Sequence, residues 1–261
     1  MWFDEIMDDC KQGLEVVSKN KGVFIPILIQ AAINMALFIF VFVGSVIFFI
    51  RHGRDLETIF NSPENLLSVA LPIIFIGFIL YLFFVVIGVM IEVGSVHLYK
   101  LAVEGIKPKV SYFFDGIKRY FLKVFGGTLL LHIIILILFI PGLVLFVLYS
   151  LTIGILTAGW GITLLGILIG VYFNAWTVAV VVDDMGPLKA IITSMKFGMR
   201  YFWGLFVLTL AGIMISQYMG AAFGALVNIV GGWFISGAIL AYFKLVILII
   251  YKRKREELVY K

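Results

Sequence analysis

From Val124 to Val182 the chain runs 59 residues without an Asp, Glu, Lys or Arg, bracketed by Lys123 and Asp183. As a single helix this stretch would be roughly 88 Å long, against a bilayer core about 30 Å thick. It must therefore cross a membrane at least twice. The rest of the chain agrees, with 63% hydrophobic and 13% charged residues, where a soluble domain is nearer about 45–50% and about 25%. No charged, patterned segment is long enough to build a second core, so 1–261 reads as a single integral membrane domain.

Charged segments and turn residues divide the chain into six apolar spans. The first is expected over Val23–Ile50, with tilt or a bend near Pro26, and the second within Leu66–Tyr99 from Pro72 onward. The long stretch divides at its Gly- and Ser-rich middle, 149–161, into spans of about 124–148 and 162–182. Pro141-Gly142 is expected to kink the third span or end it early. The fifth span is expected over Trp203–Val227, Gly231-Gly232 as the turn, and the sixth span over Trp233–Tyr251, followed by an exposed tail at 252–261.

An amphipathic stripe precedes each pair of spans. Phe3, Ile6, Met7, Cys10, Leu14 and Val17 fall at offsets 0, 3, 4, 7, 11 and 14. Val110, Phe113, Phe114, Ile117, Phe121 and Val124 repeat those offsets, as do Leu188, Ile191, Ile192, Met195, Met199 and Phe202. A lysine occupies offset 8 each time: Lys11, Lys118 and Lys196. The expected fold is an all-α polytopic transmembrane helix bundle of three amphipathic-helix-plus-hairpin units, 1–99, 100–182 and 183–251.

Charge sets the expected orientation. The segments 1–22, 100–123, 183–202 and 252–261 hold 17 of the 20 Lys and Arg. Basic residues gather on the cytoplasmic side, so both termini are expected inside a cell membrane crossed six times. The basic surplus is then a topology signal with some contact to anionic lipid, which argues against nucleic-acid binding. The opening Trp2-Phe3-Asp4-Glu5 lacks the basic start of a cleavable signal.

Polar groups inside spans are costly. Measured from each cytoplasmic end, Gln30, Glu92, His132, Asn174, Thr209 and Lys244 all lie eight or nine residues deep, roughly 12–14 Å. Asn34 lies one turn beyond Gln30 on the same face. These seven residues form the candidate polar layer, and Glu92 and Lys244, opposite in sign and matched in depth, are expected to pair. Gly212, Ser216, Gly220 and Gly224 recur every four residues and continue through Asn228, Gly232 and Ser236. Such a ridge lets another backbone approach closely, either within the bundle or on a second copy, and Gly166-x-x-x-Gly170 offers another partner surface.

No catalytic residue, cofactor or metal is expected. Cys10 is the sole cysteine, His97 lies five residues after Glu92 on another helix face, and no Walker-type Lys-Ser/Thr follows a glycine run. Serine or threonine nucleophiles lack a nearby base.

The runs Phe139-Ile140-Pro141-Gly142, Val180 to Ala190, Ile191 to Lys196 and Phe202-Trp203-Gly204 resemble a widespread prokaryotic group. It includes the membrane domain attached to some glycerophosphoryl diester phosphodiesterases, and related membrane proteins of unknown function. The similarity is best over 110–205, though the gap from Pro141-Gly142 to Asp183 is longer than the commoner spacing. It implies repeated interfacial-helix and hairpin units. The catalytic barrel of those enzymes needs roughly 250 residues of its own, and this sequence holds none of it. The expected function is therefore non-enzymatic: a membrane module that interacts with lipids, a membrane-protein partner or another copy of itself. The alternative is a small-solute or ion transporter or channel that uses the polar layer.

Overall fold

The computed structural model describes residues 2–52, 63–153, 166–227 and 229–259. These residues are helical apart from short connectors. In chain order they form α1 (Trp2–Lys19), a 3-10 turn (Lys21–Phe24), α2 (Ile25–His52), α3 (Pro63–Val103), α4 (Val110–Ile153), the described part of α5 (166–173), α6 (Trp176–Asp183), α7 (Pro187–Arg200), α8 (Phe202–Val227), α9 (Ile229–Lys254) and α10 (Glu256–Val259). Six helical stretches are long and apolar enough to cross a membrane. The expected connector at 149–161 falls largely, and the loop at 51–65 mostly, outside the described residues, as does Asn228.

Several local expectations change. Pro26 sits in the first turn of α2, where its missing N–H breaks no hydrogen bond, so it starts the helix rather than bending it. Helix α4 runs unbroken from Val110 through Pro141-Gly142, joining the second amphipathic stripe to its span without a turn. Gly231-Gly232 is helical within α9 and does not turn the chain. Instead, Gly232 carbonyl oxygen lies 3.3 Å from where a Cβ on Gly220 would stand.

The core sits at the basic end of the bundle. Its centre is α9, which packs on α1, α2, α3, α6 and α8. Leu245 to Tyr251 are all buried, as are Trp176 to Val181 of α6. A helix apolar on every side belongs inside a bundle. The outer halves of α2 and α3 instead expose Phe38, Phe40, Phe42, Ile74, Phe75 and Phe78. That surface suits hydrocarbon and not water.

Glycines set two of the closest approaches. A Cβ on Gly94 of α3 would overlap the Phe113 ring of α4, and one on Gly116 of α4 would stand 2.6 Å from His97 Cβ. Neither position has a flexible neighbour able to yield. Gly116→Ala is expected to cost about 1–3 kcal/mol by forcing α3 and α4 apart; an unchanged melting temperature in detergent would refute this.

The tail is not free. Arg253 binds Asp9 at 2.6 Å, and Lys254 binds Glu5 at 3.3 Å, both on α1. Lys252 reaches Glu104 after α3 at 2.9 Å, and Arg255 pairs with Asp183 at the end of α6. Glu257 takes Arg200 of α7 and the Tyr201 hydroxyl. One short segment thus ties together the basic ends of four helices. The turn after α6 is fixed similarly. Asp184 adopts the left-handed conformation that Asp tolerates, and its carboxylate takes Lys123 at 2.8 Å, while Pro187 opens α7.

Asp9 is only 1% exposed. Burial pushes its carboxyl above the ordinary range, and Arg253 offsets this in part. The folded state then holds the Asp9 proton more tightly than the unfolded chain. Its contribution therefore falls as pH rises through that window and is most favourable below it. Asp9→Asn is accordingly expected to keep α1 docked at neutral pH. Arg253→Gln strands the buried carboxylate. The full cost of breaking a buried pair is discounted here because Arg253 is 39% exposed, leaving about tenfold in docking, or ~1.4 kcal/mol. Maleimide labelling of Cys10 on α1 reads this directly, with faster labelling in Arg253→Gln and wild-type labelling in Asp9→Asn.

A cavity closed by an ion pair and a broken helix

The fourth span is discontinuous. Helix α5 ends at 173, Asn174 and Ala175 form a turn, and α6 begins at Trp176. Irregular backbone at membrane depth persists only where protein or a cavity satisfies its polar groups. Here Ser194 of α7 does so. Its hydroxyl accepts the Ala175 N–H at 3.2 Å and donates to the Tyr172 carbonyl at 2.8 Å, and it is 0% exposed. Gly198, one turn on, allows the approach, since a Cβ there would stand 2.8 Å from Tyr172 Cα.

The freed Asn174 carbonyl accepts Lys244 Nζ of α9 at 3.4 Å. Lys244 Nζ also lies 2.6 Å from Glu92 Oε1 of α3, and buried Thr177 of α6 stands beside that carboxylate. The Asn174 amide donates to Thr209 of α8 at 3.3 Å. Four spans thus meet at one set of polar contacts.

This cluster floors a cavity of about 1030 Å³ between α2, α3, α8 and α9. That is at the upper end of the volumes that hold whole small molecules. Gln30 and Asn34 of α2 face it, as do Ser95 and Tyr99 of α3. Among the described residues neither the Gln30 nor the Asn34 side chain has a hydrogen-bond partner. Away from the floor the walls are apolar, through Met35 and Phe38 of α2, Ile213 of α8, and Trp233, Phe234 and Leu240 of α9. Helices α2 and α8 each pack on α9, with no extensive contact joining them to one another.

Six of the seven residues expected in a polar layer therefore line one space: Gln30, Asn34, Glu92, Asn174, Thr209 and Lys244. His132 does not. It sits on α4 with Nδ1 2.7 Å from the Thr128 carbonyl and its ring edge-on to Tyr81 of α3. Its depth matches the others, but its side of the helix does not. His97 packs on Gly116 and beside the Tyr120 ring. Among the described residues, no three His, Cys, Asp or Glu side chains converge as metal ligands would.

The small-residue ridge joins α8 to α9. Gly212 lies against Phe243, Ser216 and Ser236 each donate to the other's carbonyl, and a Cβ on Gly220 would collide with the Ser236 hydroxyl. The surroundings of Gly224 lie outside the described side chains. The third stripe is divided. Ile191 packs inward with Ala190, Ser194 and Phe197, while Leu188, Ile192, Met195 and Met199 face outward. Nothing in the sequence marks Thr177, Ser194 or Tyr99 for the places they take. A hydroxyl in an apolar helix carries no marker of the backbone it serves.

Comparison with family models, with curated proteins and with solved structures finds no match for this chain.

Proposed function

We propose that this is a non-enzymatic membrane protein that takes up an amphiphilic molecule from the bilayer. The apolar part lies along α2, α8 and α9, and the polar head is held at the Glu92–Lys244 floor. We place the basic face in the cytoplasm, with both termini there, and read the three helix-and-hairpin units as one repeated design. The observation that carries the reading is the cavity itself, largely apolar in its walls and polar at one end. A single long hydrocarbon chain fits such walls, and a head drawn 12–14 Å inward, by the rise of a helix over eight or nine residues, is satisfied only at the floor.

The test is lipid retention by the full chain, purified in mild detergent and measured by native mass spectrometry. Gly88 lines the cavity, and a Cβ there would meet nothing within 4 Å. Gly88→Phe therefore has room at its Cβ to project a ring toward the cavity and is expected to lower retention about fivefold or more, roughly 1 kcal/mol. Equal retention by wild type and Gly88→Phe would count against a ligand in this cavity.

A second reading, transport of a small solute or ion, is favoured by the break at Asn174-Ala175. Broken helices at mid-membrane are where transporters place their substrates. Glu92-dependent flux into proteoliposomes, with no lipid retained, would select it.

A further inference from the structure

Resting on that reading, we propose that the head held in the cavity is a zwitterion: a primary ammonium joined to a phosphate, as in an ethanolamine phospholipid. The argument is one of charge. Among the residues lining the cavity, Glu92 is the only acid and Lys244 the only base, and they lie 2.6 Å apart. The floor is therefore neutral overall but sharply divided in sign. A head of net negative charge would add an anion that nothing there balances, in surroundings where an isolated charge is strongly disfavoured. An uncharged head would leave the ion pair closed and gain little from it. A zwitterion can insert between the partners, its phosphate on Lys244 and its ammonium on Glu92, so that every charge keeps an opposite neighbour.

The remaining polar groups fit the same head. Gln30 and Asn34 lie one turn apart on α2, face the cavity and have no partner among the described residues. Each carries both N–H donors, which suit phosphate oxygens, and a carbonyl, which suits an ammonium. A trimethylated ammonium offers no N–H to Glu92. Aromatic rings could compensate by surrounding it, but Trp233 and Phe234 stand 11 and 10 residues before Lys244 on α9, roughly 15–17 Å away. The Phe243 ring is occupied against Gly212, the Tyr99 ring is packed into the core, and Phe38 stands eight residues beyond Gln30 on α2, roughly 12 Å away, so no cage of rings surrounds the floor.

The experiment offers the full chain an equimolar mixture of vesicle lipids with identical acyl chains: phosphatidylethanolamine, phosphatidylcholine, phosphatidylglycerol and diacylglycerol. Retained species are counted by native mass spectrometry. The expected result is a preference of about tenfold or more for the ethanolamine lipid over the glycerol one. In Glu92→Gln the floor becomes net positive, and the preference is expected to reverse toward phosphatidylglycerol. A purely structural role for Glu92 would lower all retention alike. Should Glu92→Gln fail to fold, the swap Glu92→Lys with Lys244→Glu keeps a neutral floor and must keep the ethanolamine preference. Free phosphoethanolamine at the same concentration is expected not to displace bound lipid, because it gains nothing from the apolar walls; displacement would make the ligand a soluble one and overturn the lipid source. If lipid is retained and Gly88→Phe blocks it, but wild type shows no preference or favours the anionic or uncharged lipid, the zwitterion is wrong and the amphiphile reading stands. If no lipid of any class is retained, both fall.

Discussion

Glu92→Gln is expected to destabilise the protein by about 2–3 kcal/mol, and adding Lys244→Met is expected to recover most of that loss. The first change removes the negative charge 2.6 Å from Lys244 Nζ and leaves the ammonium with neutral acceptors only, the new amide oxygen and the Asn174 carbonyl at 3.4 Å. Lys244 cannot snorkel easily, because its side chain is 21% exposed and opens onto the cavity rather than the basic face. A fully buried pair would lose more, about 3–5 kcal/mol, and the partial exposure is the reason for the lower figure. The second change removes the stranded charge while keeping the volume of the chain. What stays lost is the contact of Lys244 with the Asn174 carbonyl, about 1 kcal/mol. Thermal unfolding in one detergent, run on wild type, the single variant and the double variant, gives the comparison. A double variant less stable than Glu92→Gln would mean the pair is not the unit that matters.

The depth of that pair could be counted from the sequence because charged residues mark the ends of each span. Counting inward from Lys100 and Lys252 places Glu92 and Lys244 at one level. The side of the helix could not be counted in the same way. A uniformly apolar helix such as α8 or α9 has no polar face to orient it, and only packing chooses. His132 shows the consequence, sharing the level of Asn174 while facing Tyr81 instead of the cavity. The stripes before each pair of spans do show faces, yet on α7 the buried side is centred on Ala190, Ser194 and Phe197, one step round from the stripe. Ser194 and Gly198 lie inward because the chain at Tyr172 comes close, and Phe197 lies inward against the Tyr251 ring. The tail was unreadable for another reason. Its Lys and Arg look like a solvated run until the carboxylates of Glu5, Asp9, Glu104 and Asp183 are brought to it from distant parts of the chain.

The break at Asn174-Ala175 was the least legible feature, because no Pro or Gly marks it, and its stability rests on a residue 19 positions away from Ala175. Ala175 has φ −97° and ψ −1°, outside the regular helix. Its N–H and the Tyr172 carbonyl therefore lose their places in the helical ladder. Both are taken by the single Ser194 hydroxyl, which water cannot reach. Ser194→Ala removes that hydroxyl and leaves a donor and an acceptor buried without partners, each costing about 1–3 kcal/mol, so a loss of about 2–4 kcal/mol is expected. The loss should be local before it is global. The Asn174 carbonyl that holds Lys244 belongs to the same turn, so loosening the turn shifts the cavity floor as well. Hydrogen exchange should show reduced protection at 171–178 and lower lipid retention, with protection in the α3–α4 contact near Gly116 unchanged. Ser194→Thr keeps the hydroxyl, adds a methyl group to a filled site and should fall between the two. A Ser194→Ala protein with wild-type exchange at Ala175 would mean that the break is held by α6 and α9 alone, with α7 a passive cover.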